Sequence, residues 1–242
     1  MKVLLIDDHP LILAALQSVI EGLGSDTTVV GAGSAKAARE TLKADSEFDL
    51  VLLDLHLGDA DGFEVLLEFR ANYPALPVVV VSASDRTSDV IRAIDAGAMG
   101  FVPKRASNET LFEALHMVMS GGIYVPPMTM GSEPATKPEG DTVPSVLRVL
   151  RDHAEDSGFQ TATVPLETIG LTPRQTEVLA LLLKGHSNKL IARDLHLSVE
   201  TVKDHVAAVL RALGVNSRTQ AVLAVSQMSA PGGLTAWRNS TM

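Results

Sequence analysis

Asp49-Leu50-Val51-Leu52-Leu53-Asp54-Leu55 runs directly into His56-Leu57-Gly58-Asp59-Ala60-Asp61-Gly62. An almost wholly apolar run bounded by acidic and glycine-rich residues reads as a strand buried on both faces, as in a parallel sheet covered by helices. Asp54 falls at its carboxyl end. Ligands and chemistry gather outside those ends in open α/β sheets, so a carboxylate carried there by an apolar strand is a placed group. The plainer reading, an Asp that ends the strand and caps the next turn, stands until other residues join the same edge.

Outward from this stretch, short apolar runs alternate with amphipathic ones. Strands are expected at 3–6, 28–32, 50–55, 78–81 and 100–102, and helices at 10–23, 35–44, 62–72, 87–96 and 107–120. Parallel neighbours need crossover connections, so five such pairs imply a doubly wound parallel sheet. Ser34 and Ser107 are expected N-caps, and Gly24, Gly97 and Gly121-Gly122 sit where helices should stop. The first domain is placed at residues 1–122.

Beyond it the pattern loosens. Pro126-Pro127, Pro134, Pro138, Gly140 and Pro144 mark a linker over residues 123–168, with a short helix expected at 145–156. From Leu171 the chain reads as entirely helical, with helices at 173–184, 188–195, 199–213 and 219–225 in a second domain at 169–229. Thr172-Pro173-Arg174-Gln175 combines an N-cap, Pro at the first helical position and Gln at the capping-box position. Residues 230–242 read as a disordered tail.

At 242 residues the chain suits two modest domains. It has no cysteine, which excludes disulfides and thiolate metal or redox chemistry. The first apolar run is broken by Asp7-Asp8, too early for a signal peptide, and no later run approaches a membrane span, so a cytoplasmic location without membrane contact is expected. The net charge of −9 conceals an asymmetry. Residues 171–242 hold 8 Lys and Arg against 4 Asp and Glu, whereas residues 1–125 hold 9 against 18. A basic segment on an acidic chain points to a nucleic-acid-binding module joined to something with another task.

Asp7-Asp8 closes the first strand, so these carboxylates should lie beside Asp54. Carboxylates converging there repel one another unless a hard cation is bound, and Mg²⁺ accepts one or two carboxylates together with phosphate oxygens. Ser82 and Lys104 end the fourth and fifth strands. A hydroxyl and an ammonium aimed at one carboxylate suit a phosphoryl group formed on it, and an aspartyl phosphate fits the whole set. His9 and His116 show no metal-ligand spacing and read as surface or core residues.

Asp7-Asp8, Asp54 with Gly58–Gly62 after it, Ser82-Ala83 and Lys104, in that order, resemble the receiver domain of bacterial two-component response regulators. The resemblance implies a flavodoxin-like fold that takes a phosphoryl group from a sensor histidine kinase onto Asp54. It further implies that Asp8 and Asp54 bind Mg²⁺ directly, that the His56 backbone carbonyl adds a ligand, and that Asp7 acts through water. Ser82 and Lys104 would hold the phosphoryl group, and Phe101 would be an aromatic that changes rotamer. Pro103 before the lysine and His56 after the acceptor are minor departures.

In the helical domain, 188–195 and 199–213 joined by His196-Leu197 make a helix-turn-helix. Val202, Val206, Val209, Leu210 and Leu213 should face its core. That leaves Glu200, Thr201, Lys203, Asp204, Ala207, Ala208 and Arg211 for solvent or bases, with Lys203 the best candidate for a guanine edge. Arg211, Arg218 and Lys189 are placed for phosphates. Leu171–Leu179, Gly185–Ala192, Ser198–Val206 and Leu213-Gly214-Val215 resemble the LuxR-type (GerE-like) DNA-binding domain. This second resemblance implies a homodimer on two-fold related promoter half-sites, with the last helix as the dimer contact and RNA polymerase as a further partner. Together the two parts resemble the NarL/FixJ type of response regulator, with phosphorylation controlling dimerisation and promoter binding. Asp204, Ala207 and Ala208 depart toward weaker phosphate attraction. Self-phosphorylation and autodephosphorylation at Asp54 are the only chemistry expected. Two rivals remain: a regulator whose receiver works without phosphorylation, and an Asp-nucleophile phosphohydrolase, which needs a second carboxylate where His56 stands.

Overall fold

A computed structural model of the chain describes residues 1–127 apart from 23, 25 and 46, and residues 170–229 apart from the side chains of 226, 227 and 229. The helix expected at 145–156 and the tail at 230–242 lie outside the described residues. The first domain runs β1 (Lys2–Ile6), α1 (Pro10–Glu21), β2 (Thr28–Ala32), α2 (Ala35–Ala44), β3 (Leu50–Leu53), α3 (Gly62–Asn72), β4 (Val78–Ser82), α4 (Thr87–Asp95), β5 (Gly100–Pro103) and α5 (Asn108–Met119). The strands form one parallel sheet in the order β2-β1-β3-β4-β5. This is the doubly wound sheet that the alternation predicts, in the flavodoxin-like order that the receiver resemblance implies.

The central strands are apolar because both faces are covered. In β3, Leu50, Val51, Leu52 and Leu53 are fully buried and alternate between two cores. Each such side chain contributes roughly 1.5–3 kcal/mol by leaving water. β3 ends two residues earlier than expected, at Leu53, although Asp54 N still donates to Ile6 O at 2.9 Å. The chain then turns away through a tight passage at Gly62, where a Cβ would stand 2.3 Å from Leu55 Cα. Pairing in the first domain also continues past residue 122. Phe101 N donates to Tyr124 O and Tyr124 N to Met99 O, so Tyr124 is buried against β5 rather than released into the linker.

The second domain comprises α6 (Pro173–Leu183), α7 (Asn188–Leu195), α8 (Val199–Ala212) and α9 (Arg218–Ser229). The expected capping box is present at Thr172 and Gln175. Ser187 and Ser198 cap α7 and α8 by accepting from Leu190 N and Thr201 N. Between those helices His196 adopts a left-handed conformation, φ 53°, which closes the turn in few residues. Val202, Val206, Val209, Leu210 and Leu213 are buried as expected, against Val178, Leu182, Ile191 and Ala221. α9 begins at Arg218 and runs four residues beyond the expected end at 225.

The helical domain rests on the amino-terminal edge of the sheet. Ala75, from the turn between α3 and β4, belongs to its apolar core. Asn188 Nδ2 donates to Ala75 O at 3.0 Å, and Gln220 Nε2 donates to Asp95 O at 3.2 Å. Gly121, φ 99°, passes so close to the Gly185 carbonyl oxygen that a Cβ would stand 2.1 Å from it.

Candidate functional site

Strand register fixes which side chains meet. Ile6 pairs with Leu53, and Ser82 with Pro103, so Asp7 and Asp54 follow adjacent strands while Ser82 and Lys104 end the next two. Lys104 N donates to Ser82 O at 2.7 Å, tying the last pair together. All four emerge at the carboxyl edge, opposite the edge on which the helical domain sits.

Lys104 Nζ stands between two carboxylates, 2.6 Å from Asp7 Oδ2 and 2.8 Å from Asp54 Oδ2. Asp7 and Asp54 are almost completely buried. Burial alone would lower the lysine pKa; hydrogen bonds and charge from Asp54 and Asp7 outweigh it and leave the ammonium raised above 10.5. His56 N donates to Asp54 Oδ1 at 3.2 Å, so the backbone of the following loop also orients the Asp54 carboxylate. The His56 side chain itself is exposed. Ser82 is fully buried, and its hydroxyl accepts from Ser84 N at 3.2 Å. Phe101 is fully buried in the core that also contains Val90 and Ala93 of α4.

Oxygen ligands for a hard cation converge here. Ligand atoms of Asp7, Asp8, His9 and Asp54 lie within 4.8 Å of one another. Asp8 Oδ1 is shielded from solvent and receives no hydrogen bond, although His9 Nδ1 approaches to 2.7 Å. Desolvated carboxylate oxygens converging from Asp7, Asp8 and Asp54 are what a hard cation would satisfy, so the residues present fit Mg²⁺. His9 is exposed, as the sequence reading has it, and lies beside this cluster.

The helix-turn-helix residues divide differently from expectation. Arg211 and Asp204 are exposed on α8, and Lys189 is exposed at the start of α7. Thr201 is half-buried, at the amino end of α8 beside Ser198. Lys203, expected to be outward, is only 13% exposed in its side chain. It reaches Glu200 at 3.2 Å and lines a cavity of about 30 Å³, room for one water, with Asp49, Pro77 and Met99 of the first domain. Ala207 is half-buried against the helical core rather than exposed. Arg218, expected to meet phosphate, instead donates to the His186 carbonyl and is buried deeply enough to pull its pKa down to about 10. The expectation failed because helical spacing shows which face of one helix is polar, but not what a second domain places against it.

Comparison with known proteins agrees with both halves. Residues 3–116 match the response regulator receiver domain family, and residues 170–225 match the bacterial regulatory proteins of the luxR family. The chain is 33% identical over 227 residues to the glycerol metabolism activator of Pseudomonas putida, covering 94% of this chain and 96% of that protein. It is 33% identical over 225 residues to the nitrate/nitrite response regulator protein NarL of Escherichia coli K12, covering 93% and 94%. It is 30% identical over 222 residues to the response regulator protein VraR of Staphylococcus epidermidis, covering 92% and 94%. Among the described residues no helix is long and apolar enough to cross a membrane. A parallel sheet with acidic groups at its carboxyl edge, followed by a capped helix-turn-helix, thus has its counterpart along nearly the whole length of these relatives: the chain belongs to the NarL/FixJ-type DNA-binding response regulators of two-component systems.

Proposed function

We propose that Asp54 accepts a phosphoryl group from a sensor histidine kinase and that this modification governs homodimerisation and promoter binding. The observation that carries the reading is Lys104 Nζ held between Asp7 and Asp54 at 2.6 and 2.8 Å, a cation already aimed at the acceptor carboxylate. Asp8 and Asp54, with the His56 backbone carbonyl, would ligate Mg²⁺, and Asp7 would act through a bound water. The ion supplies charge neutralisation for an incoming phosphoryl group. Ser82 donates its hydroxyl to that group, and Lys104 moves from Asp54 to a phosphoryl oxygen. Phe101, packed beside α4, is placed to respond when Ser82 shifts. Apart from this self-modification and its hydrolysis, no catalytic role is assigned.

On the DNA side, Lys203 and Thr201 read bases while Lys189 and Arg211 hold phosphates, in promoter half-sites where RNA polymerase can be engaged. Lys203 lines a cavity shared with Asp49, Pro77 and Met99, which supports reading the docked arrangement as the resting one, with the recognition helix α8 turned from a groove. Boundaries at residues 1–122 and 169–229 are proposed for separate expression of the two domains, with the first extended to include Tyr124.

Incubation with acetyl phosphate and Mg²⁺ tests the first claim. Wild type should gain one phosphoryl group by intact-mass measurement and Asp54→Asn none; equal uptake by both removes Asp54 from its role. Phosphorylated wild type should elute as a dimer, and Lys203→Ala should lose discrimination between promoter and scrambled DNA.

A further inference from the structure

The loop between β3 and α3 carries the groups that border Asp54, and its two ends are fixed locally. At one end His56 N bonds Asp54 Oδ1, and His56 forms an isolated bridge with Asp61. At the other, Asp61 accepts from Phe63 N and Glu64 N at the start of α3. The middle of the loop is held by a partner 24 residues away. Asp59 Oδ1 accepts from Ala35 N at 2.9 Å, and Asp59 Oδ2 accepts from Lys36 N at 3.0 Å. These are the first two amides of α2, which have no acceptor within their own helix. Those amides hold the Asp59 carboxyl below its usual range, as expected for a carboxylate fixed in its charged form at a helix amino terminus.

The neighbouring residue gives this clamp its importance. Gly58 passes so close to the acidic site that a Cβ on it would lie 3.2 Å from Asp8 Oδ2. The loop therefore forms one wall of the cluster of Asp7, Asp8 and Asp54, and Asp59 is the side chain that ties this wall to α2. The asymmetry with Ser34 is informative. Ser34 caps the same helix from within its own strand-to-helix turn, accepting from Ala37 N at 3.1 Å, a hydrogen bond local to α2.

We infer that Asp59 is a positioning residue of the acidic site: by clamping the first two amides of α2 it sets the distance between the His56–Gly58 loop and Asp8, and so tunes the site for its cation. The inference rests on the Mg²⁺ reading above but makes a claim about loop geometry that is measurable without metal. Outer groups that orient a metal site are commonly worth tenfold or more in affinity.

The test compares full-length wild type, Asp59→Ala, Asp59→Asn and Ser34→Ala. Hydrogen exchange of the metal-free proteins should be faster at the His56 and Gly58 amides in Asp59→Ala and unchanged there in Ser34→Ala. Mg²⁺ titration followed by calorimetry should weaken roughly tenfold for Asp59→Ala, remain at the wild-type value for Ser34→Ala, and fall between for Asp59→Asn, which keeps one acceptor oxygen. Ser34→Ala controls for loss of α2 stability. Equal loop exchange in Asp59→Ala and wild type overturns the inference, as does a Mg²⁺ loss in Ser34→Ala equal to that in Asp59→Ala. If wild type itself binds no Mg²⁺, the metal reading fails, while the exchange comparison still decides the role of Asp59 in the loop.

Discussion

Arg70 Nε on α3 lies 3.3 Å from the carbonyl oxygen of Asn216, on the turn that leads into α9 of the other domain. Its guanidinium otherwise donates to the carbonyls of Tyr73, Pro74 and Leu76, with no carboxylate among its hydrogen-bond partners within the described residues. Burial pulls its pKa down to about 10, which still leaves it charged at neutral pH. A buried cation held only by backbone oxygens depends on all of them. Arg70→Met should therefore destabilise the receiver by about 2–4 kcal/mol in urea unfolding, because several carbonyls lose their donor at once. A cost under about 0.5 kcal/mol, the usual range for an exposed substitution, would show that the pocket is wet.

Gly121 provides a cleaner way to part the domains. An added methyl would stand 2.1 Å from the Gly185 carbonyl oxygen, and its φ of 99° disfavours any side chain. Gly121→Ala should bind promoter DNA more tightly than wild type in the absence of phosphorylation, with Lys203 more accessible to acetylating reagent. Unchanged affinity and unchanged labelling would mean that docking does not limit access to DNA.

Lys104 supplies a pH signature. Its folded pKa is raised, so its contribution to stability is complete below 10.5 and is lost as pH climbs through the folded value. Wild type should lose stability over that alkaline range more steeply than Lys104→Met, measured by chemical unfolding at stepped pH. Parallel profiles would separate the ammonium from Asp7 and Asp54 in solution.

DNA affinity should depend on salt only moderately. Arg218 is occupied by His186, Ala207 and Ala208 carry no charge, and Asp204 opposes phosphate. With two or three basic contacts per subunit, a dimer should give a log–log slope of about −4 to −5, against about −7 to −9 for eight to ten phosphates. Fluorescence anisotropy across a salt series distinguishes the two.

The capping box of α6 should be worth about 1 kcal/mol to the helical domain. Thr172→Ala removes one half of it by taking away the acceptor for Gln175 N. The domain's melting temperature should drop by several degrees; no shift would mean that α6 is held by packing of Val178, Leu179 and Leu182 alone.

The sheet and the acidic edge were legible because each depends on local pattern. Two-sided burial forces the unbroken apolar run of β3, and residues that follow strands in a parallel sheet must share an edge. Asp7, Asp54, Ser82 and Lys104 could thus be gathered from sequence alone. Arg70, Asp59 and Arg218 could not. Their partners are backbone groups, which leave no mark in residue type, and for each at least one lies far along the chain: 146, 24 and 32 residues away. The same limit explains Lys203, whose polar character fits a nucleic-acid surface and a domain interface equally well.

Among the described residues, the helical domain docks on the amino-terminal edge and does not cover the opposite rim of the sheet. On the proposed reading, a phosphodonor would reach Asp54 without first dislodging the helical domain, and hydrolysis would reset the carboxylate while that domain is engaged elsewhere. On that reading, coupling between the two edges would run along the sheet, a span of about five residues or roughly 17 Å along β4. The receiver is in this sense a relay with its input and output on opposite rims, and rigidity of those central strands becomes a signalling property as well as a folding one.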